Sequence, residues 1–247
     1  MISVIIPSRL QQRIGAADGT LWLDQALAQV ARQEAGLVCE VIVGIDPNAV
    51  PPPRFDPALF RHAAAPGQAS ALNAAIADAR GEFLAILEDD DGWAPCKLRE
   101  QMRHLERYDI VTAGQLELDS EGTQVGERVF ATPSGWLMRR TIFDRVGAFD
   151  PAFRYRLDNE WLGRANAVGL HRIHLLSRSA IVSDPLAVAN VAKRSAVMLG
   201  PESCSHLVFR TVNPNGGTTR TNTEEEAAQR SRQEYALLVD RFGEIPW

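Results

Sequence analysis

Four consecutive carboxylates, Glu88-Asp89-Asp90-Asp91, follow directly on the apolar run Phe83-Leu84-Ala85-Ile86-Leu87. A buried strand therefore ends where a block of negative charge begins. In an extended backbone Glu88 and Asp90 face one side and Asp89 and Asp91 the other. Carboxylates this close repel, and each raises the pKa of its neighbours unless a cation neutralises them. A hard divalent ion meets that need: Mg²⁺ or Mn²⁺ held by one or two carboxylates, with its other positions given to substrate phosphates. The competing reading is a solvated acidic turn at the start of the next helix, where acids are electrostatically favoured. Its place at the end of the most apolar strand weighs against that. A calcium EF-hand is excluded, because Gly92 at the loop glycine would put Leu87 and Leu98 at the two end ligands.

The elements around the acids alternate strand and helix. Ser3-Val4-Ile5-Ile6 and Val41-Ile42-Val43-Gly44-Ile45 are short apolar runs of the kind a parallel sheet buries on both faces. A helical period starts at Leu21, a third strand is predicted over Leu59 to Ala63, and Gly67 to Ala79 reads as an Ala-rich helix. Pro95 opens a charged helix from Lys97 to Arg107. This βαβα order predicts a mostly parallel sheet flanked by helices, with ligands at the carboxyl ends of its strands.

Further along, Leu116 to Phe130 reads as a hairpin turning at Glu121-Gly122, and Asp158 to Val168 as a helix stopped by Gly169. Arg210 to Thr223 is expected to be a long mobile loop. A terminal helix follows, with a Thr223/Glu226 capping box and an apolar stripe of Ala228, Ser231, Tyr235, Leu238 and Phe242.

Composition narrows the function classes. The 247 residues carry 26 Lys+Arg against 31 Asp+Glu, a formal charge of −5 that argues against general nucleic-acid binding. Cys39, Cys96 and Cys204 are odd in number and far apart, so no disulfide framework or zinc site is expected and a cytoplasmic setting is inferred. No apolar run is long enough to span a membrane, which leaves peripheral membrane contact open. His104, His171, His174 and His206 lack paired-ligand spacing, and phosphate-loop, zinc-protease and serine-hydrolase motifs are absent.

In order along the chain, several segments resemble the family 2 glycosyltransferases of the GT-A fold. They are Ser3–Ser8, Val41–Asp46, Gly67–Ala74 (the family's G-x-x-x-A-x-N), and Leu87–Asp91 followed by Trp93, Pro95, Lys97 and Leu98. Val146-Gly147-Ala148-Phe149-Asp150, and Asp158 six residues before Arg164, complete the set. The resemblance implies a GT-A domain over 1–175, with a Rossmann-like nucleotide-binding half over about 1–114 and an acceptor-binding half over about 115–175. Residues 176–247 are a C-terminal extension of the same domain, comprising the loop and the terminal helix.

It also implies roles. Asp158 is the general base and Asp90 the metal ligand, with Asp91 and His206 as further metal candidates. Glu88 and Asp89 flank the metal as ribose and supporting contacts. Asp46 lies by the nucleotide base, opposite Pro7, Ser8 and Arg9, and Asn73 supports the donor site. Trp136 and Trp161 are acceptor-side candidates, for which a core position is the rival reading. Lys193 and Arg194 are weaker candidates for the diphosphate. Two positions depart from the family pattern: Ile45 stands where a first acid is usual, and Glu88 where an Asp is usual. The implied reaction is inverting transfer of a sugar from a UDP-, GDP- or dTDP-sugar to a glycan, lipid-linked or small-molecule hydroxyl, assisted by Mn²⁺ or Mg²⁺. The alternatives are a sugar-nucleotide nucleotidyltransferase and a degenerate nucleotide-sugar-binding protein. Against the first, Pro7 to Gly15 makes a poor phosphate loop, with Arg9, Arg13 and one glycine.

Overall fold

The computed structural model describes every residue except 35, 38, 131, 202–205, 214–216 and 247. Cys204 and part of the expected 210–223 loop thus lie outside the described residues. The strands among the described residues are β1 (Ile2–Ser8), β2 (Cys39–Ile45), β3 (Phe60–His62), β4 (Phe83–Ile86), β5 (Gly92–Trp93), β6 (Ile110–Ala113), β7 (Gln115–Leu118), β8 (Gln124–Arg128), β9 (Leu137–Arg139), β10 (Arg172–Leu176), β11 (Ala196–Leu199) and β12 (Val208–Thr211). The helices are α1 (Trp22–Ala31), α2 (Gln68–Ala77), α3 (Lys97–Met102), α4 (Ile142–Val146), α5 (Leu157–Ala167), α6 (Arg178–Ser183), α7 (Pro185–Ala192), α8 (Gly217–Thr223) and α9 (Glu225–Phe242).

Eight strands form the main sheet in the order β11-β10-β6-β9-β4-β1-β2-β3. Only β9 runs antiparallel to its neighbours β4 and β6, so the mostly parallel sheet expected from the apolar runs is present. Period-two geometry explains why those runs are apolar throughout. Val4, Ile6, Val43 and Ile45 enter the core on one face, with Leu23, Ala26 and Val30 of α1. Ile5, Ile42, Leu84 and Ile86 enter the other, with Leu72 of α2 and Trp161 of α5. Ala-rich α2 packs so tightly on β2 that a Cβ on Gly44 would lie 2.0 Å from the Ala71 carbonyl oxygen. Glycine at 44 and a small residue at 71 are therefore one packing device.

A second, four-stranded sheet has the order β5-β12-β7-β8. The expected hairpin is β7 and β8. β12 enters beside it, parallel to β7 and antiparallel to β5, so a strand of the C-terminal region joins two segments more than eighty residues earlier.

Several expectations change. Residues 210–223 are not a continuous loop, since β12 ends at Thr211 and α8 occupies Gly217–Thr223. Thr223 lies inside α8, and the N-cap of the terminal helix is Glu224 instead of the expected Thr223. Its buried stripe is Ala227, Ser231, Glu234 and Leu238, while Tyr235 is exposed. Helix α3 is shorter than expected and begins after Cys96, so Pro95 precedes the cap instead of opening the helix. Cys96 is disulfide-bonded, a pairing that sequence spacing did not reveal because it depends on proximity in the fold. The cysteine-based argument for a reducing compartment falls with it. No helix among the described residues is long and apolar enough to cross a membrane.

His174 shows how the sheet handles a buried polar group. It is 1% exposed, with Nδ1 2.7 Å from the Thr112 hydroxyl and Nε2 2.5 Å from the Val129 carbonyl oxygen. Burial drives its pKa down to about 3. The unfolded chain therefore binds a proton that the folded chain refuses, and stability falls as pH drops below the unfolded value of about 6.5. Between pH 7 and pH 5 this linkage removes about 2 kcal/mol. Denaturation of His174→Gln at the two pH values is expected to show that much less pH dependence than the unsubstituted protein.

Candidate active site

The carboxylate run sits at the carboxyl end of β4, beside the end of β1. The pairing of Ile5 with Ile86 brings the residues after each strand together. The run is not extended, because the Asp91 N–H donates to the Glu88 carbonyl at 3.0 Å and closes a turn. The expected alternation of faces gives way to a different partition. Asp89 lines one cavity, Asp91 lines another, and Glu88 and Asp90 line both.

The smaller cavity, of about 380 Å³, is lined by Pro7, Ser8, Arg9 and Asp46 together with Glu88, Asp89 and Asp90. The Ser8 hydroxyl donates to Asp89 at 2.5 Å and accepts the Leu10 N–H at 3.0 Å. Leu10, at φ 55°, holds a left-handed conformation uncommon for a bulky residue, between Arg9 and Gln11, which line this cavity. Asp46 accepts the Gly67 N–H at 2.9 Å, fixing the entry to α2 at a residue whose φ of 120° suits glycine. Asn73 lies on α2 but lines neither cavity. Its amide donates to the Phe149 carbonyl at 2.8 Å and its oxygen accepts the Phe149 N–H at 2.9 Å, tying α2 to the 146–150 segment.

The larger cavity, of about 650 Å³, lies on the other side of Glu88 and Asp90 and is lined by Asp158, Arg154, Tyr155, Arg156, Arg210 and Asn213 among others. Asp158 is the second residue of α5. Burial raises its carboxyl above the usual value, while the N–H groups of Asn159 and Asp158 and the charges of Arg156 and Arg210 pull it down without cancelling that effect. The favourable helix-dipole contribution expected at this position is therefore outweighed by desolvation.

The same physics acts on the acids. Burial and the charge of Asp90 push Glu88 and Asp89 each up to about 7. Asp91, 2% exposed, is raised well above the usual range by burial and by Glu88 and Asp90. Ser134 is a shared support: its hydroxyl donates to Asp91 at 2.6 Å and accepts the Glu88 N–H at 3.0 Å. Asn213 donates to Asp90 at 3.0 Å, and Gln68 donates to Glu88. Burial alone would lower the Arg210 guanidinium, but the charges of Asp91, Glu88 and Glu117 raise it, and it pairs with Glu117 at 2.7 Å. Ser134, Asn213 and Arg210 carried no sequence signal. The last two reach the site only because β12 docks beside β7.

Five expected contributors lie elsewhere. Trp136 and Trp161 are fully buried, their rings 5.5 Å apart in a cluster with Phe143 and Phe149. The Trp161 Nε1–H donates to the Gly147 carbonyl at 2.9 Å. These are core residues with no face available to an acceptor. His206 pairs with Glu127 at 2.8 Å and lines neither cavity, so it is not placed as a ligand for an ion at Asp90. Lys193 and Arg194 pair with Glu244 and likewise line neither cavity, whereas Arg220 of α8 does line the smaller one.

Residues 3–168 match the family described as glycosyl transferase family 2. The chain belongs to glycosyl transferase family 2. It is a glycosyltransferase with the GT-A fold. Among solved structures, the glycosyltransferase is similar to S. aureus TarS 1-349 in complex with UDP, at 13% identity and a TM-score of 0.53, over 98% of this chain and 72% of that one. It is similar to the same fragment in complex with UDP-GlcNAc at 14% identity and a TM-score of 0.55, over 93% of this chain and 66% of that one. Against S. aureus TarS, at 13% identity and a TM-score of 0.54, the match covers 96% of this chain but 42% of the other. No curated protein matches the chain.

The assignment of Trp161 to the core has a direct test. Trp161→Ala in the glycosyltransferase is expected to lower stability by about 3–5 kcal/mol in denaturant unfolding, as for large aromatic truncations in cores. An acceptor-stacking residue would instead raise the KM for acceptor with stability unchanged.

Proposed function

We propose that this glycosyltransferase moves a sugar from a nucleoside-diphosphate donor in the smaller cavity to a hydroxyl acceptor in the larger one, by single displacement with inversion. The observation that carries the reading is that the two cavities meet at Glu88 and Asp90, with Asp158 on the acceptor side of the junction. Asp158 takes the proton of the acceptor hydroxyl as its oxygen bonds to the anomeric carbon, and the bond from that carbon to the diphosphate oxygen breaks. Positioned general bases typically contribute about 10²–10⁴-fold in rate. Arg210 and Arg154 add positive charge beside the junction, where negative charge develops on the departing diphosphate.

The residues fit a divalent cation in a limited way. Among the described residues no group of three or more His, Cys, Asp or Glu could hold a metal ion. The raised Glu88 and Asp89 carboxyls nevertheless mark an excess of negative charge that a cation relieves. Asp90, reached from both cavities, is the residue that would hold Mn²⁺ or Mg²⁺, with Asp91 behind it and donor phosphates supplying the remaining ligands. Such an ion supplies Lewis-acid neutralisation of the leaving diphosphate. UDP in the TarS structures supports a uridine diphosphate donor here, in a pocket that Asp46 and Arg9 both line.

Calorimetric titration with UDP, GDP and dTDP is expected to show binding of one of them, strengthened by Mn²⁺. Failure to bind any of the three would overturn the donor assignment. Asp90→Asn is expected to abolish the metal enhancement while leaving the fold intact.

Asp158→Asn is expected to keep nucleotide affinity within about two-fold and lose at least about 10²-fold in kcat. In the unsubstituted enzyme kcat rises as Asp158 loses its proton. Burial shifts that limb upward from the ordinary 3.8, so a rate profile already flat at pH 4 would remove Asp158 from the mechanism.

A further inference from the structure

The segment that leads into α5 is held from outside by one buried carboxylate. Glu234, on α9, is 2% exposed. One of its oxygens accepts the Arg154 N–H at 2.8 Å, and the other accepts the N–H groups of Tyr155 at 2.9 Å and Arg156 at 3.0 Å. Arg156 is the N-cap of α5 and makes no side-chain capping bond of its own. The anchoring normally supplied by a local Ser, Thr, Asp or Asn thus comes from another helix.

What the carboxylate holds matters. Arg154 and Tyr155 line both cavities, and Asp158 follows Arg156 by two residues. The match to the family ends at residue 168, so Glu234 lies in the part of the chain outside it. Arg230 contributes differently. Its guanidinium is about half exposed and lies 3.2 Å from the same carboxylate, an ion pair of the kind that adds little in water.

We propose that Glu234 is a positioning residue for the transfer reaction: by accepting three consecutive backbone N–H groups, it fixes the 154–156 segment and, through it, the placement of Asp158 against the junction of the two cavities. The proposal rests on the reading of Asp158 as the base. It makes the C-terminal helix part of the catalytic unit. A carboxylate suits the task because it accepts on both oxygens at once and donates nothing, whereas a glutamine would turn an amide against one of the N–H groups.

Three measurements on the full chain test this, with Glu234→Ala, Glu234→Gln and Arg230→Met compared with the unsubstituted protein. Amide hydrogen exchange is expected to show Arg154, Tyr155 and Arg156 protected, with protection lost in Glu234→Ala, reduced in Glu234→Gln and retained in Arg230→Met. Release of UDP from UDP-GlcNAc is expected to fall about 10²-fold in kcat for Glu234→Ala, the scale at which a misplaced catalytic group costs rate, with UDP affinity within about two-fold. An NMR titration of the Asp158 carboxyl carbon is expected to move toward the ordinary carboxylate range in Glu234→Ala as its surroundings loosen. Unchanged kcat in a folded Glu234→Ala would overturn the proposal, as would kcat and UDP affinity falling in parallel. Should Glu234→Ala fail to fold, the isosteric Glu234→Gln carries the same criteria with smaller changes. An unsubstituted protein that releases no UDP would count against the donor reading instead. Exchange and the Asp158 titration then decide on Glu234, and an Asp158 titration indifferent to residue 234 would overturn it.

Discussion

Negative charge packed at the end of a buried strand is costly, and much of this molecule is arranged around that cost. Four carboxylates follow β4 with the sheet behind them, where desolvation and mutual repulsion both favour the neutral forms. The compensating groups come from separate parts of the chain: Ser8 after β1, Gln68 on α2, Ser134 in a short turn, and Arg210 and Asn213 from the C-terminal region. Each supplies a donor or a positive charge to an acid that would otherwise be poorly matched. The compensation is incomplete, and the residual excess is what a diphosphate bound with its cation would use.

The sheet turns this charge into a division of space. Because the run closes into a turn, its members line two cavities, with Glu88 and Asp90 shared between them. The smaller cavity is lined largely by residues at strand ends. The larger one is lined by the hairpin, the entry to α5 and the C-terminal region. Such an arrangement allows one side to stay constant while the other is varied.

What the sequence made legible follows the same line. The apolar runs of β1, β2 and β4 and the small residues of α2 could be read locally, because a strand buried on both faces must be apolar throughout. Residues of the smaller cavity could be read with them, since Pro7, Ser8, Asp46 and the acids all sit within a few positions of a strand end. Ser134, Arg210 and Asn213 could not be read, because their roles depend on pairings such as β12 with β7 that no local pattern encodes. Trp136 and Trp161 show the converse failure: an aromatic side chain is equally suited to a sugar and to a core, and only packing decides. The terminal helix is legible as a helix with Ser231, Leu238 and Phe242 on its inward side, but Ala227 and Glu234 stand where Ala228 and Tyr235 are expected. Its buried stripe contains a glutamate, which hydrophobic patterning cannot recognise as interior.

The threading of β12 between β5 and β7 has a consequence for how the protein comes into being. During synthesis the donor-side strands emerge early and can pair with one another at once. The second sheet must wait for residues 208–211, and the support beneath the entry to α5 must wait longer still. A nascent chain thus passes through a stage in which its carboxylates are assembled but their late partners are not. In that interval the pocket is charged and half built, and the 154–156 segment gains its carboxylate support only as α9 docks.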